Sequence, residues 1–153
     1  MTAARFGCAV LACLAAGAPG AIAQAPQPGA ADEAPFVEHR LALQISDASP
    51  VKQSLIISNV ANVLKVFGPD KVAIEVVAYG PGIYLLHADN PNAARIASLV
   101  QQGVKFDACM NTIDTIERET GKPFPLNPLA RKVEAGIVQI MTLAERGYTT
   151  IRP

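Results

Sequence analysis

An excess of charge of either sign is missing from this sequence: 13 Lys and Arg residues are matched by 13 Asp and Glu. That removes the electrostatic reason to expect a nucleic acid or an anionic membrane surface as partner. Tryptophan is absent and aromatic residues make up 5% of the chain. No Walker loop, no G-x-G-x-x-G and no G-x-S-x-G occurs anywhere in the 153 residues, so the usual signatures of phosphate cradles and serine nucleophile elbows are lacking. Beyond residue 23 two histidines and one cysteine, widely separated, give no zinc-ligand spacing. Neither a metal nor a cofactor is therefore expected. A long uninterrupted apolar run is also missing. The apolar stretch at residues 6–18 is followed by Pro19 and Gly20 and falls short of the roughly 20 residues that span a bilayer.

What stands at the start instead is a three-part pattern: a short segment with Arg5, the apolar stretch, and Ala21-Ile22-Ala23 as an A-x-A site. This is the pattern of a secretory signal peptide over residues 1–23, with cleavage after Ala23. Two competing readings are a retained anchor and a lipoprotein box at Val10-Leu11-Ala12-Cys13, where Leu11 fits poorly. Cleavage predicts a periplasmic or secreted protein with no membrane span in its mature form. It also removes Cys8 and Cys13. Cys109 is then the one mature cysteine, so neither an intramolecular disulfide nor a C-x-x-C redox cycle is available. In an oxidising compartment such a residue is a reactive thiol, half of an intermolecular pair, or an inert buried side chain.

Half of the residues are hydrophobic, which suits one globular domain. Residues 24–36 are rich in Ala and Pro and read as a flexible linker, leaving residues 37–153 as the domain. Leu41, Leu43 and Ile45 alternate as in a strand. Ser49 and Pro50 open a helix over 51–67, which Gly68-Pro69 ends. Residues 71–79 form a nearly all-apolar strand, as expected where both faces are covered. A Gly80-Pro81-Gly82 loop and a helical turn at 83–86 follow. A helix capped by Asn90 runs to Gly103, and a strand covers 104–108. A helix over 111–120 precedes the break at Gly121. A long helix is expected over 129–146, with Val133, Ile137, Ile140, Met141 and Ala144 as its buried stripe, and a last strand over 148–151. This alternation predicts a parallel sheet with helices on both faces.

In such a sheet the carboxyl ends of the strands share one edge, where ligands bind. The turns at 46–50, 79–82 and 108–112 reach it, and Cys109 lies in the third. A cysteine just ahead of a helix meets unpaired amides and the positive end of the helix dipole, which favour a thiolate. Asn111 and Thr112 could bond the sulfur or cap the helix. Gly80 and Gly82 could let backbone approach a ligand, with Tyr84 and His87 beside them. His39 belongs to the opposite edge. Asp114, Glu117 and Glu119 read as a solvated helix face. On spacing alone, Cys109 is either a nucleophile or a small buried hydrophobe.

Residues 104–112 (VKFDACMNT), the loop Tyr79-Gly80-Pro81-Gly82-Ile83, and the ending from Val133-Glu134-Ala135-Gly136-Ile137 through Gly147-Tyr148 to Pro153 resemble DsrE/DsrF-like proteins across residues 39–153. The resemblance implies a flavodoxin-like three-layer α/β sandwich with a mostly parallel sheet, assembled as a homo-oligomer. In the sulfur-relay members a cysteine of this segment carries sulfur as a persulfide between a donor and an acceptor protein. Carried over, that sulfurtransferase-like role falls on Cys109. The relay members work in the cytoplasm, whereas this chain has an export signal. Two other expectations stand beside sulfur transfer: a non-catalytic module that binds a ligand or protein at the same edge, and a redox sensor in which Cys109 becomes a sulfenic acid or mixed disulfide.

Overall fold

The structure, a computed structural model, describes residues 36–153 together with Met1. The expected signal peptide, its cleavage point and the linker up to residue 35 lie outside the described residues. Strand β1 (His39–Ile45) leads into helix α1 (Pro50–Phe67), which starts with proline as expected. Strand β2 (Val72–Ala78) runs into a 3₁₀ helix (Gly80–Leu86), followed by α2 (Ala93–Gln101). Strand β3 (Lys105–Cys109) passes directly into α3 (Met110–Thr120). The chain closes with β4 (Arg131–Val133), α4 (Gly136–Glu145) and β5 (Thr149–Ile151).

The five strands form one parallel sheet in the order β4-β3-β2-β1-β5. The architecture is a three-layer α/β sandwich of flavodoxin-like type. Right-handed crossovers explain the layers. The steps from β1 to β4 all move one way and put α1, α2 and α3 on one face. The step from β4 back to β5 reverses direction and puts α4 on the other. The first face holds the large aliphatic core, in which Leu43, Val76 and Phe106 of the sheet meet Ile56, Val60, Ile96 and Ile113 of the helices. Each such fully buried side chain contributes about 1.5–3 kcal/mol. On the second face, small side chains (Ala42 and Ala73) let α4 approach through Ile140 and Leu143, beside Val77 and Tyr148.

Three expectations change. The long helix over 129–146 is a strand followed by a shorter helix. Val133 belongs to β4, paired with Cys109, and Ile137, Met141 and Ala144 of the expected buried stripe are exposed. Gly136, Leu143 and the half-buried Gln139 and Ile140 face the sheet instead. A three-residue strand carrying Arg131 and Lys132 has no hydrophobic period to betray it. It pairs with β3, and Arg131 bonds the buried Asp107 carboxylate on that strand. Second, the Gly80-Pro81-Gly82 segment is the first turn of the 3₁₀ helix, not a loop. Third, α2 starts two residues later than Asn90 allows. Asn90 instead makes a turn, its side-chain oxygen accepting from the Asn92 amide at 2.8 Å, while its Nδ2 donates to Gln53 Oε1. Among the described residues, no helix is long and apolar enough to cross a membrane.

Candidate functional site

Cys109 is the last residue of β3 and the N-cap of α3, at the carboxyl edge of the sheet. Strand alternation puts it on the α4 face, two residues beyond Asp107. It is a free cysteine and 5% exposed. Gly136, the first residue of α4, lies over it: a Cβ there would stand 3.3 Å from Cys109 Cβ and 2.9 Å from Tyr79 Cβ. The main chain ahead of α4 is tied down by the Asn111 amide, which donates to the Glu134 carbonyl at 3.1 Å.

The other expected site residues divide. Gly80, Tyr84, Asn111 and Thr112 come together, with Pro81, Thr115 and Ile116, around a cleft of about 390 Å³ between the 3₁₀ helix and α3. The Gly80 amide donates to Thr112 Oγ1 at 3.0 Å and joins the two elements. Gly80 has a φ of 50°, a backbone conformation that favours glycine. Thr112 therefore serves the 3₁₀ helix, and neither it nor Asn111 bonds the sulfur. The Tyr84 ring meets Phe124 edge-on at 5.7 Å and divides this cleft from a second, to which His87 and Asn90 contribute. Every residue lining the first cleft is uncharged, which suits a neutral, partly apolar ligand. Cys109 and Gly82 are not among them. Gly82 is buried, and a Cβ on it would meet the Ile45 carbonyl oxygen. Its role is to let the 3₁₀ helix pack against the end of β1. His39 sits at the opposite edge, against Phe67.

A buried charged cluster behind Cys109 is absent from the candidates drawn from sequence. Glu75 on β2 and Asp107 on β3 are 1% and 0% exposed. Arg131 Nε and Nη2 donate to the two oxygens of Asp107 at 2.7 and 2.9 Å, and Nη2 also donates to Glu75 Oε2 at 2.5 Å. From α4, Gln139 Nε2 donates to one oxygen of each carboxylate, both at 3.2 Å. Glu75 Oε1 accepts no hydrogen bond and faces the Lys105 ammonium at 3.5 Å. Burial pushes the Asp107 carboxyl up, Arg131 opposes it and the Glu75 charge adds to it, for a result of about 7. Burial also raises Glu75. The Arg131 charge, a hydrogen bond with Asp107 and the Lys105 charge outweigh that and hold it below the usual range. The two titrate as a pair. A signal for this cluster was present: one Glu in an otherwise apolar strand, which requires a buried partner.

No family model matches the chain, and no curated protein matches it. Among solved structures, the protein of unknown function MTH1491 from Methanobacterium thermoautotrophicum is 32% identical, with a TM-score of 0.67 over 76% of this chain and 100% of that one. At that identity, over the whole of that protein, the chain belongs to the same family as MTH1491.

Proposed function

We propose that this is an exported DsrE-like protein that carries sulfur on Cys109 and works as a homo-oligomer. The observation that carries the reading is the position of Cys109, at a strand end and helix start on the carboxyl edge of a parallel sheet, two residues before Asn111 of the cleft wall. The step needs no oxidant. The Cys109 thiolate attacks the outer sulfur of a donor persulfide, a new S–S bond forms at Cys109, and the donor's S–S bond breaks to release its thiolate. An acceptor thiolate then takes the outer sulfur, and Cys109 leaves as thiolate. Because the side chain is 5% exposed, both exchanges require residues 134–136 and the start of α4 to lift, a local opening rather than unfolding. Ile137, Val138 and Met141, 52–59% exposed on α4, support assembly with further copies of this chain.

The test is to mix the reduced protein with a small-molecule persulfide, remove the donor and add a thiol acceptor. One transferable sulfur per chain is expected, and none in Cys109→Ser. Full transfer by Cys109→Ser overturns the reading.

A second reading, a non-catalytic binding module, is favoured by one observation: the uncharged cleft at 80–84 and 111–116 is lined without Cys109. A cysteine reachable only after denaturation, together with a ligand whose affinity falls in Tyr84→Ala, selects it.

A further inference from the structure

The cluster beneath α4 is short of hydrogen-bond donors. Four carboxylate oxygens, from two fully buried side chains, share Arg131 Nε, Arg131 Nη2 and Gln139 Nε2, and Glu75 Oε1 receives none of them. The compensating charges are Arg131 from β4 and Lys105 from β3. The Arg131 side chain is 41% exposed and the Lys105 side chain 25%. β1 places Ala42 beside Glu75 and Arg40 further along the same face. α4 reaches the pair with the neutral Gln139 amide. Two carboxylates held this close by shared donors repel one another, and a buried charge without full compensation is costly.

We propose that Glu75 and Asp107 hold a single proton between them, and that losing it loosens α4 and uncovers Cys109. With the proton in place the pair carries one negative charge, and Gln139 can bridge it. Without it, two buried negative charges that share too few hydrogen-bond donors face a guanidinium and an ammonium that are both partly solvated, and hydrating them draws water under α4. Gln139 is the polar tie from α4 to the sheet. Gly136, three residues earlier on the same helix, is the cover over Cys109. A rise in pH through the neutral range therefore uncovers the thiol. Only this consequence for Cys109 rests on the sulfur-carrier reading; the shared proton and the seating of α4 do not.

Hydrogen exchange of α4 peptides, divided by that of α1 peptides to cancel the intrinsic pH dependence, reads the latch directly. Between pH 5.5 and 8.5 the relative protection of α4 is expected to fall about tenfold or more, and the change is expected to vanish in Asp107→Asn. A ratio independent of pH in the unaltered protein overturns the proposal. Should Asp107→Asn fail to fold, carboxyl-carbon NMR of the unaltered protein decides: one group of the pair titrating near neutrality supports the shared proton, and both titrating below pH 5 overturns it. Neither readout involves sulfur. A protein that carries no sulfur but shows the α4 step retains the latch, and one that carries sulfur without the step does not have it.

Discussion

Gly136 packs directly against Cys109, close enough that a methyl group at position 136 would stand 3.3 Å from the cysteine Cβ. On the proposed sulfur-carrier reading, the first turn of α4 must lift for the thiol to be reached. Gly136→Ala forces α4 away from Tyr79 and Cys109. An overpacked site of this kind costs about 1–3 kcal/mol. Denaturant unfolding is expected to show that loss, and alkylation of native Cys109 is expected to become faster.

Gly82→Ala is expected to be worse. The added Cβ would meet the backbone carbonyl of Ile45, which cannot turn aside as a side chain can. The β1 end and the 3₁₀ helix must separate, with an expected loss of about 4 kcal/mol or more. Thermal unfolding checks this. A near-native melting temperature would mean that the approach of these two segments is not required.

The pH dependence of stability has a definite sign. Asp107 is raised from 3.8 to about 7, so its contribution is complete below its unfolded value and is lost as pH rises through about 7. Glu75 is lowered, so its contribution is present above its unfolded value and is lost as pH falls further. Between them, the pair is expected to stabilise most near pH 4, to lose stability from there to about pH 7 and to level off above it, with a steepest slope of about 1.4 kcal/mol per pH unit for one proton. Urea unfolding at a series of pH values measures it, and Asp107→Asn should flatten the curve.

Arg131→Met leaves two buried carboxylates without their main donor. Breaking such a pairing costs about 3–5 kcal/mol, here toward the lower end because the guanidinium is partly solvated. The penalty is expected to shrink at pH 5, where the pair carries less charge. An equal penalty at pH 5 and pH 8 would show that Arg131 acts through packing alone.

The exposed stripe of Ile137, Val138 and Met141 is expected to hold copies of the chain together. Met141→Lys with Val138→Glu is expected to lower the sedimenting mass to that of one chain, without loss of secondary structure by circular dichroism.

Much of this architecture is legible in the sequence. Strand β1 falls at 39–45 because Leu41, Leu43 and Ile45 alternate, and α1 is bounded by Pro50 and Gly68. The parallel sheet follows from the alternation of elements. Strand β4 was not legible, since three residues of which two are basic show no period, and its partner strand carrying Asp107 lies more than twenty residues earlier in the chain. The same cause hid the stripe of α4: Ile137 and Met141 have helical spacing, but the sheet packs against Leu143 and Ile140. Periodicity says that a face is apolar, not which neighbour covers it. Of the site, Gly80, Tyr84, Asn111 and Thr112 were drawn from loops at one sheet edge and do line one cleft. Gly82 does not, because its space is taken by the end of β1.

The intact mass of the protein purified without reductant, recorded before and after reduction, bears most directly on the role of Cys109. A species heavier by one sulfur atom is expected, assigned to the peptide containing Cys109 and lost on reduction. An unmodified cysteine that takes up no sulfur from a persulfide donor, and that alkylates only once the protein is denatured, would contradict the sulfur-carrier role and leave Cys109 a packing residue.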